Sequence, residues 1–270
     1  MSSTQLNATN GQAVKVITVA NQAGSVGKST MVAALAALLA ADGKRVLVVD
    51  ADSQANVSHS LGVASTEVAH HTGDVLLRRA EILDALVETN TDGVLLLPGH
   101  ADLATDLVEL NSMPIAALRL RKPMQEAVAE HDIDVVLIDC PGSVSLLTVI
   151  ALAVATSVVT VTMPSLKEVQ GIAPFMSTVQ DTAEELELDI RLDAIIPCAV
   201  PPANAGRVYS EALAWLDDNY GELLTPTVRR TALVAEAASN GVPVTAYVPH
   251  EDVSDDCRKV LADLQGRGVL

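Results

Sequence analysis

The sequence predicts an α/β fold with a single doubly wound, mainly parallel sheet and helices on both of its faces. Short apolar runs alternate along the chain with longer segments of helical composition, which is the pattern of a parallel sheet. Polar or glycine-containing segments follow several of these runs, where ligands bind in such sheets. With 270 residues, of which 49% are hydrophobic, the chain is long enough for one sizeable core. We therefore expect one domain over residues 13–270, preceded by a disordered polar tail over residues 1–12.

The composition restricts the classes of function. The formal net charge is −17, from 34 acidic and 17 basic residues, so any contact with DNA has to come from a local basic patch. Aromatic residues make up only 2% of the chain, which disfavours the stacking platforms of single-strand-binding proteins. No apolar run has the length of a membrane span, and residues 1–11 lack the apolar core of a signal peptide. We therefore expect a cytoplasmic protein with no membrane partner.

The first predicted strand, Val14–Ala20, and the first predicted helix, Ser29–Ala41, are joined by a turn of small residues. Such a turn lets the backbone wrap closely around an anion, and the free N–H groups of the helix's first turn point to the same place. Lys28 adds a positive charge for terminal phosphates, and the Ser29 hydroxyl can ligate magnesium. Taken alone, a Gly-Lys-Ser turn is also compatible with a mere tight connection. The predicted phosphate-binding residues are Ala23, Gly24, Ser25, Val26, Gly27, Lys28, Ser29 and Thr30.

Acidic residues follow two later apolar strands. The strand over residues 44–50 ends at Asp50, with Asp52 two positions further on, and the strand over residues 133–139 ends at Asp139. Carboxylates at the end of a strand beside a phosphate-binding turn can orient a metal-bound water and an attacking water. The sequence therefore predicts that these three carboxylates gather around one site.

The remaining elements complete the alternation, with further strands over residues 93–98, 157–163 and 194–199 and further helices over residues 81–88, 113–130, 168–186, 204–219 and 254–265. The adjacent His70 and His71 point apart on a strand or helix and have no third ligand spaced nearby, so we expect surface residues and no metal. Cys140, Cys198 and Cys257 are widely separated and lack paired metal-ligand spacing, so we expect reduced structural thiols.

Four segments, in this order, resemble the ParA/MinD superfamily of deviant P-loop ATPases: residues 21–30, 50–56, 139–143 and 227–244. The resemblance runs over nearly the whole chain, is strongest to short ParA-type DNA partition ATPases and implies the fold of a ParA-like P-loop NTPase. The sequence departs from the family pattern at two notable places. Ala23 stands where the superfamily has its signature lysine, and Gly142 replaces a proline, which should make that turn more mobile.

The resemblance implies that the ligands are ATP and Mg²⁺. It assigns the positioning of the hydrolytic water to Asp52, the magnesium ion to Ser29 and Asp139, and a supporting place around the metal to Asp50. Pro201 lies in a loop that approaches the nucleotide base in this superfamily, so it is a candidate contact to adenine. Each of these assignments is an expectation from the family pattern.

The absent signature lysine predicts weak basal hydrolysis, because a positive charge beside the transferring γ-phosphate accelerates phosphoryl transfer by several powers of ten. By the resemblance, Lys28 and the loop amides hold the β- and γ-phosphates. Lys167 follows the strand over residues 157–163 and is expected on the same rim of the sheet. We hypothesise that Lys167 replaces the charge missing at Ala23, as a lysine outside the loop does in some carboxysome-positioning relatives. The alternative is an ordinary exposed lysine at a helix start.

By the resemblance, the protein is an ATP-dependent homodimer that binds nonspecific double-stranded DNA and associates with the nucleoid in that state. A ParB-like partner would stimulate slow hydrolysis during partition of a plasmid or chromosome. Arg229 and Arg230 are the candidate contacts to the DNA backbone, with an ion-paired surface as the alternative. Two other functions remain open: a McdA-like positioning ATPase for a protein cargo, and a nucleotide-gated dimerisation switch with little hydrolysis.

Overall fold

The protein is built around one sheet, and the computed structural model describes Leu6 and residues 13–270. The strands are β1 Lys15–Val19, β2 Val46–Asp50, β3 Val87–Glu88, β4 Val94–Leu97, β5 Val135–Asp139, β6 Ser157–Thr162 and β7 Leu192–Pro197. Their order across the sheet is β3-β4-β2-β5-β1-β6-β7. Every neighbouring pair is parallel except β3 and β4. The predicted mainly parallel fold is therefore confirmed.

Helices cover both faces of this sheet. The α-helices in the described part of the chain are α1 Lys28–Ala41, α2 Asn56–Ser60, α3 Thr72–Leu77, α4 Ile82–Ala85, α5 Leu103–Asn111, α6 Arg121–His131, α7 Leu146–Leu152, α8 Leu166–Gln170, α9 Ile172–Glu185, α10 Arg207–Tyr220, α11 Leu233–Ser239, α12 Val244–Tyr247 and α13 Asp252–Gly266. On one face α1 packs against α12 and α13, and on the other α5 and α9 both pack against α7. The chain is therefore doubly wound, as the alternation of strands and helices predicts.

Two apolar layers hold the helices to the sheet. In β2, Leu47 and Val49 belong to one layer, whereas Val46 and Val48 belong to the other. This division follows from strand geometry, because successive side chains point to opposite faces. All five residues of β2 and of β5 are buried, which explains why both strands read as continuous apolar runs rather than alternating ones.

Two predicted helices differ in the structure. Residues 81–88 form the short helix α4 and then β3, which pairs with the outer side of β4 in antiparallel fashion. Pairing with a sheet edge therefore outweighs the local helical periodicity. The helix predicted over residues 113–130 begins only at Arg121 as α6, because Ile115 adopts the left-handed conformation with φ 59° and a 3-10 turn follows.

The tail expected over residues 1–12 lies outside the described residues, apart from Leu6. Leu6 is buried, and its carbonyl accepts a hydrogen bond of 2.8 Å from the Val14 amide. The three cysteines are free and buried, in agreement with the expectation of structural thiols. Within the part of the chain that is described, no helix has both the length and the apolar character needed to span a membrane.

Candidate nucleotide and magnesium site

The carboxyl ends of three central strands meet at one edge of the sheet. In the parallel register, Val19 of β1 and Asp50 of β2 both lie opposite Asp139 of β5. The loop over residues 20–27 leaves β1 at this edge and leads directly into α1. The arrangement therefore brings the predicted phosphate loop and the predicted carboxylates together, as expected for ligand sites in parallel sheets.

The loop before α1 has the backbone shape of an anion cradle. Gly27 has φ 102° and Ser25 has φ 59°, so both lie in the left-handed region. Lys28 is buried and its Nζ donates a 3.0 Å hydrogen bond to the Ala23 carbonyl across the loop. Because Gly27 provides no side-chain cap, the N–H groups of the first turn of α1 remain available to an anion.

A cleft of about 680 Å³ opens above this loop. It is lined by Gly24–Thr30, by residues 52–54, by Asn56, His59 and Ser60 of α2, by residues 141–143 and by Ala238. Seven of the eight predicted phosphate-binding residues therefore face one cavity, and Ala23 lies directly beside it in the chain. The volume and the lining are compatible with a nucleotide triphosphate.

Asp139 lies behind this cleft and is fully buried. Neither of its carboxylate oxygens has a hydrogen-bond partner among the described residues. Burial raises the pKa of Asp139 well above its usual value, and the negative charge of Asp50 raises it further, whereas the nearby Ser29 hydroxyl and Lys28 ammonium lower it. An unpartnered buried carboxylate is stabilised by a cation. Oxygen donors from Asp139 and Ser29 therefore form a set that fits a magnesium ion.

Asp50 is equally buried but has hydrogen-bond partners. Its Oδ1 accepts from the Asp52 amide at 3.0 Å, and its Oδ2 accepts from the Ser58 amide at 3.1 Å and from the Ser58 hydroxyl at 2.7 Å. Burial raises the pKa of Asp50 to about 6, although these hydrogen bonds pull it down. Asp50 therefore braces the loop that follows β2, and it places a negative charge near Asp139.

Asp52 lines the cleft and is partly exposed. Its Oδ1 accepts a 3.0 Å hydrogen bond from the Gln54 amide, which fixes the carboxylate in a tight turn.

The turn over residues 139–143 also lies against the phosphate loop. A Cβ at Gly142 would lie 2.8 Å from the Gly24 Cα. The close approach of these two segments therefore needs glycine at position 142.

Comparison with known proteins agrees with this geometry. A family model described as an AAA domain matches residues 14–192. The chain is 32% identical to the chromosome partitioning protein ParA of Caulobacter vibrioides over 236 residues, which is 87% of each protein. It is 34% identical to the chromosome-partitioning ATPase Soj of Thermus thermophilus over 257 residues, covering 94% of this chain and 96% of Soj. The chain belongs to the ParA/MinD superfamily of P-loop ATPases.

Solved structures give the same fold. Apo McdA from Cyanothece superposes with a TM-score of 0.83 at 20% identity, covering 93% of this chain and 99% of McdA. Cobyrinic acid a,c-diamide synthase from Mycobacterium smegmatis, solved with an ATP analogue and magnesium, superposes with a TM-score of 0.79 at 29% identity, covering 94% and 95% of the two chains. The ParA-like fold predicted from the sequence is thereby confirmed.

Two residues expected near the nucleotide lie outside the cleft: Lys167, from the hypothesis that it replaces the missing lysine, and Pro201, from the family resemblance. Lys167 is exposed in the first turn of the short helix α8, which follows the carboxyl end of β6. Pro201 is half-buried in the loop after β7. Neither residue lines the cavity around the phosphate loop. Within one subunit, the cleft of this ParA-like chain is therefore formed without them.

The two arginines proposed for DNA differ in their surroundings. The Arg229 guanidinium is clamped on α13, where Nε lies 2.6 Å from Asp256 Oδ2 and Nη1 pairs with Asp252. These partners raise the pKa of Arg229, and the main cause is the hydrogen bonding that its guanidinium donates to Asp256. Arg230 is exposed and forms no ion pair within the described residues. Of the two, Arg230 is the one whose charge faces solvent without a partner.

The residues that brace the site are not among those predicted from the sequence. Ser58 is buried against Asp50, and the Thr72 hydroxyl donates to the Asp50 carbonyl at 2.7 Å. The prediction that His71 lies on the surface was wrong: it is buried, and its Nδ1 accepts from the Gly73 amide to cap α3. Its ring stacks on His100 with centroids 4.8 Å apart. The sequence signal for such residues is a polar side chain within an otherwise apolar segment or at the start of a helix.

Proposed function

We propose that this chain is a ParA-type ATPase that binds ATP with Mg²⁺, dimerises in that state and hydrolyses the nucleotide slowly during DNA partition. The observation that carries the proposal is the buried carboxylate of Asp139, without a partner and next to Ser29 and Lys28 at the phosphate loop. A carboxylate in that condition fits a cation held at the phosphates far better than it fits a purely structural role.

In this proposal each residue has a separate task. Lys28 and the N–H groups of the first turn of α1 hold the β- and γ-phosphates, since both present positive charge to the cleft. Ser29 and Asp139 hold Mg²⁺, which when bound neutralises phosphate charge. Asp52 faces the cleft and orients the attacking water by accepting a hydrogen bond from it. Asp50 supports the Asp52 loop from behind.

The same proposal accounts for slow hydrolysis. Ala23 carries no charge, and the loop's only ammonium, that of Lys28, lies within 3.0 Å of the Ala23 carbonyl. Lys167 is exposed outside its own cleft, so we propose that it reaches the γ-phosphate of the partner subunit in the ATP-bound dimer. An exchange of Lys167 for alanine should then weaken ATP-dependent dimerisation; unchanged dimerisation, measured by light scattering with ATP, would remove Lys167 from the mechanism.

The basic residues limit how strongly such a dimer can hold DNA. Of the 17 lysines and arginines, only four make no contact to a carboxylate or a backbone carbonyl within the described residues: Lys44, Arg78, Lys167 and Arg230. Lys167 follows β6, which ends at the nucleotide edge, and the Arg230 amide donates a 2.8 Å hydrogen bond to the Val200 carbonyl in the loop after β7. With two such cations in each subunit, a dimer has four. The slope of the logarithm of the DNA-binding constant against the logarithm of salt concentration should then be no steeper than about −4.

The decisive experiment is a titration of double-stranded DNA with ADP, ATP and a slowly hydrolysed ATP analogue at two salt concentrations. A salt-sensitive signal that needs a triphosphate supports the partition function, and addition of a ParB-like protein should then raise phosphate release. The same preparation with Arg230→Ala should bind less DNA, whereas the controls with ADP should show no binding. Binding that is independent of the nucleotide would contradict the proposal.

A second function is favoured by the net charge of −17 and by the small number of lysines and arginines that lack a partner among the described residues. In this alternative, the ATP-bound dimer positions a protein cargo, or acts as a nucleotide-gated switch with little hydrolysis, and DNA has a minor part. ATP-dependent dimerisation without DNA binding at low salt would select it. Steady-state phosphate release in the presence of a partner protein then separates the positioning ATPase from the switch.

A further inference from the structure

We propose that Ser58 is a positioning residue for ATP hydrolysis: its hydroxyl and amide hold the Asp50 carboxylate, which in turn holds the backbone of Asp52. Ser58 lies in the middle of α2, and its side chain and that of Asp50 are fully buried. The inference rests on the proposed function, in which Asp52 orients the attacking water.

The first link joins Ser58 to Asp52 through one carboxylate. Asp50 Oδ2 accepts from the Ser58 hydroxyl at 2.7 Å and from the Ser58 amide at 3.1 Å, and Asp50 Oδ1 accepts from the Asp52 amide at 3.0 Å. The two oxygens of one rigid group therefore fix α2 and the start of the Asp52 turn relative to each other. Hydrogen bonds to a charged group are also stronger than neutral ones.

The second link ties the same hydroxyl to the neighbouring strand. The Ser58 Oγ accepts a 3.0 Å hydrogen bond from the Gly99 amide, just after β4 ends. A Cβ at Gly99 would lie 2.7 Å from the Asp50 Cγ and 2.7 Å from the Asp52 carbonyl oxygen. The backbone at Gly99 is therefore packed directly on both aspartates, and Ser58 is the side chain that holds it there.

These links end at the cleft. The Asp52 carboxylate lines the cavity and is oriented by the Gln54 amide, so any shift of this turn moves the group that faces the attacking water. The phosphates, in contrast, are held by the loop after β1, which Ser58 does not contact through any hydrogen bond in the described residues. Loss of the Ser58 hydroxyl should therefore reduce the rate of hydrolysis and leave the affinity for ATP nearly unchanged.

The test measures single-turnover hydrolysis of ATP with Mg²⁺ and equilibrium ATP affinity in the full chain carrying Ser58→Ala. Ser254→Ala is the matched control, because Ser254 is, like Ser58, a fully buried serine. Its hydroxyl donates a 2.7 Å hydrogen bond to the Val248 carbonyl, away from the cleft. We expect the hydrolysis rate of Ser58→Ala to fall by about tenfold to a hundredfold, because a small displacement of a catalytic group can slow a reaction by that much. Its Kd for ATP should stay near that of the wild type.

A second variant keeps the test open if Ser58→Ala does not fold. Thr72→Val nearly keeps the side-chain shape and removes one hydroxyl, whose single hydrogen is shared between the Asp50 carbonyl at 2.7 Å and the Pro98 carbonyl at 3.0 Å. It should lower the rate in the same selective way. A rate equal to that of the Ser254→Ala control, or a rate and an ATP affinity that fall in parallel, would overturn the positioning role.

Measurement of Asp52→Ala in the same assay separates the two proposals. If Asp52→Ala hydrolyses ATP as fast as the wild type, the assignment of the water-orienting group fails and this inference fails with it. If Asp52→Ala is slow and ATP still binds, while Ser58→Ala and Thr72→Val keep the wild-type rate, only the role of Ser58 is lost.

Discussion

Two buried carboxylates at the same edge of the sheet differ in their hydrogen bonds. Asp50 and Asp139 lie opposite each other at the ends of β2 and β5, and both are fully buried. Asp50 accepts three hydrogen bonds from Ser58 and Asp52, whereas the described residues give Asp139 none. Burial alone therefore does not define a functional carboxylate. A satisfied carboxylate braces the fold, and an unsatisfied one depends on a ligand.

Asp139→Asn should change nucleotide binding and hydrolysis more than any other single substitution. Loss of the anionic oxygen should remove the magnesium dependence of ATP binding and lower single-turnover hydrolysis by about a hundredfold or more. The same change should make the nucleotide-free protein more stable, because a neutral amide is buried in place of a carboxylate without partners. ATP titration with and without magnesium, together with thermal unfolding, checks both results. Retained magnesium dependence would contradict the assignment of the cation to Asp139.

Asp50→Ala should act in the opposite direction on stability. It leaves the Ser58 amide, the Ser58 hydroxyl and the Asp52 amide without their shared acceptor. We expect the free energy of unfolding at pH 7 to fall by about 2–3 kcal/mol, the cost of unsatisfied buried donors. Urea unfolding without nucleotide measures this loss. A variant as stable as the wild type would show that the hydrogen bonds of Asp50 do not brace the fold.

Gly142→Ala tests the contact between the two segments that flank the cleft. A Cβ at Gly142 would lie 2.8 Å from the backbone of Gly24, so one of the two segments has to move. We expect ATP affinity to fall by about tenfold, because displaced loop amides lose their alignment with the phosphates. Gly266→Ala is the control, since a Cβ there meets nothing within 4 Å. Equal affinities for the two variants would contradict the steric explanation.

The adjacent Arg229 and Arg230 extend the comparison to cations. Arg229→Ala should lower the melting temperature, because it leaves Asp256, whose side chain is largely buried, without its main partner. Hydrogen bonds from Arg229 hold the pKa of Asp256 below its ordinary value even though burial opposes them. Arg230→Ala should leave the melting temperature unchanged and reduce DNA binding. Thermal unfolding and a DNA titration of both variants distinguish them; identical thermal shifts would contradict the contrast.

The smallest effect concerns pH. Burial lowers the pKa of His71 below its ordinary value of 6.5, so the folded protein binds fewer protons at this group than the unfolded chain does. The stability that neutral His71 contributes is therefore fully present above about pH 6.5, the pKa of the unfolded chain, and is lost as the pH falls below it. His71→Asn keeps an acceptor for the Gly73 amide without titrating. The wild type should lose more stability than the variant between pH 7 and pH 5.5, measured by urea unfolding; equal losses would rule out this origin.

Much of the fold follows from local patterns. The strands β1, β2, β4, β5, β6 and β7 lie within two residues of their predicted ends, because each is a short apolar run bounded by polar residues. The prediction failed at residues 81–88 and 113–130, where pairing with the edge of β4 and the left-handed Ile115 decide the structure. The residues at this edge were predictable from their places beside strands: Asp139 ends β5, Asp52 lies two positions after β2, and Lys28 begins α1 after the loop that leaves β1.

Local sequence patterns are enough to predict that strands and helices alternate, that a phosphate loop follows the first strand and that aspartates end two others. These features depend on periodicity and on neighbours within a few positions. Three features appear only once the chain is folded: Asp50 has hydrogen-bond partners whereas Asp139 has none among the described residues, Gly142 packs on Gly24, and Arg229 pairs with α13. Hydrogen-bond satisfaction and close packing are set by groups far apart in the chain, so local patterns carry no information about them.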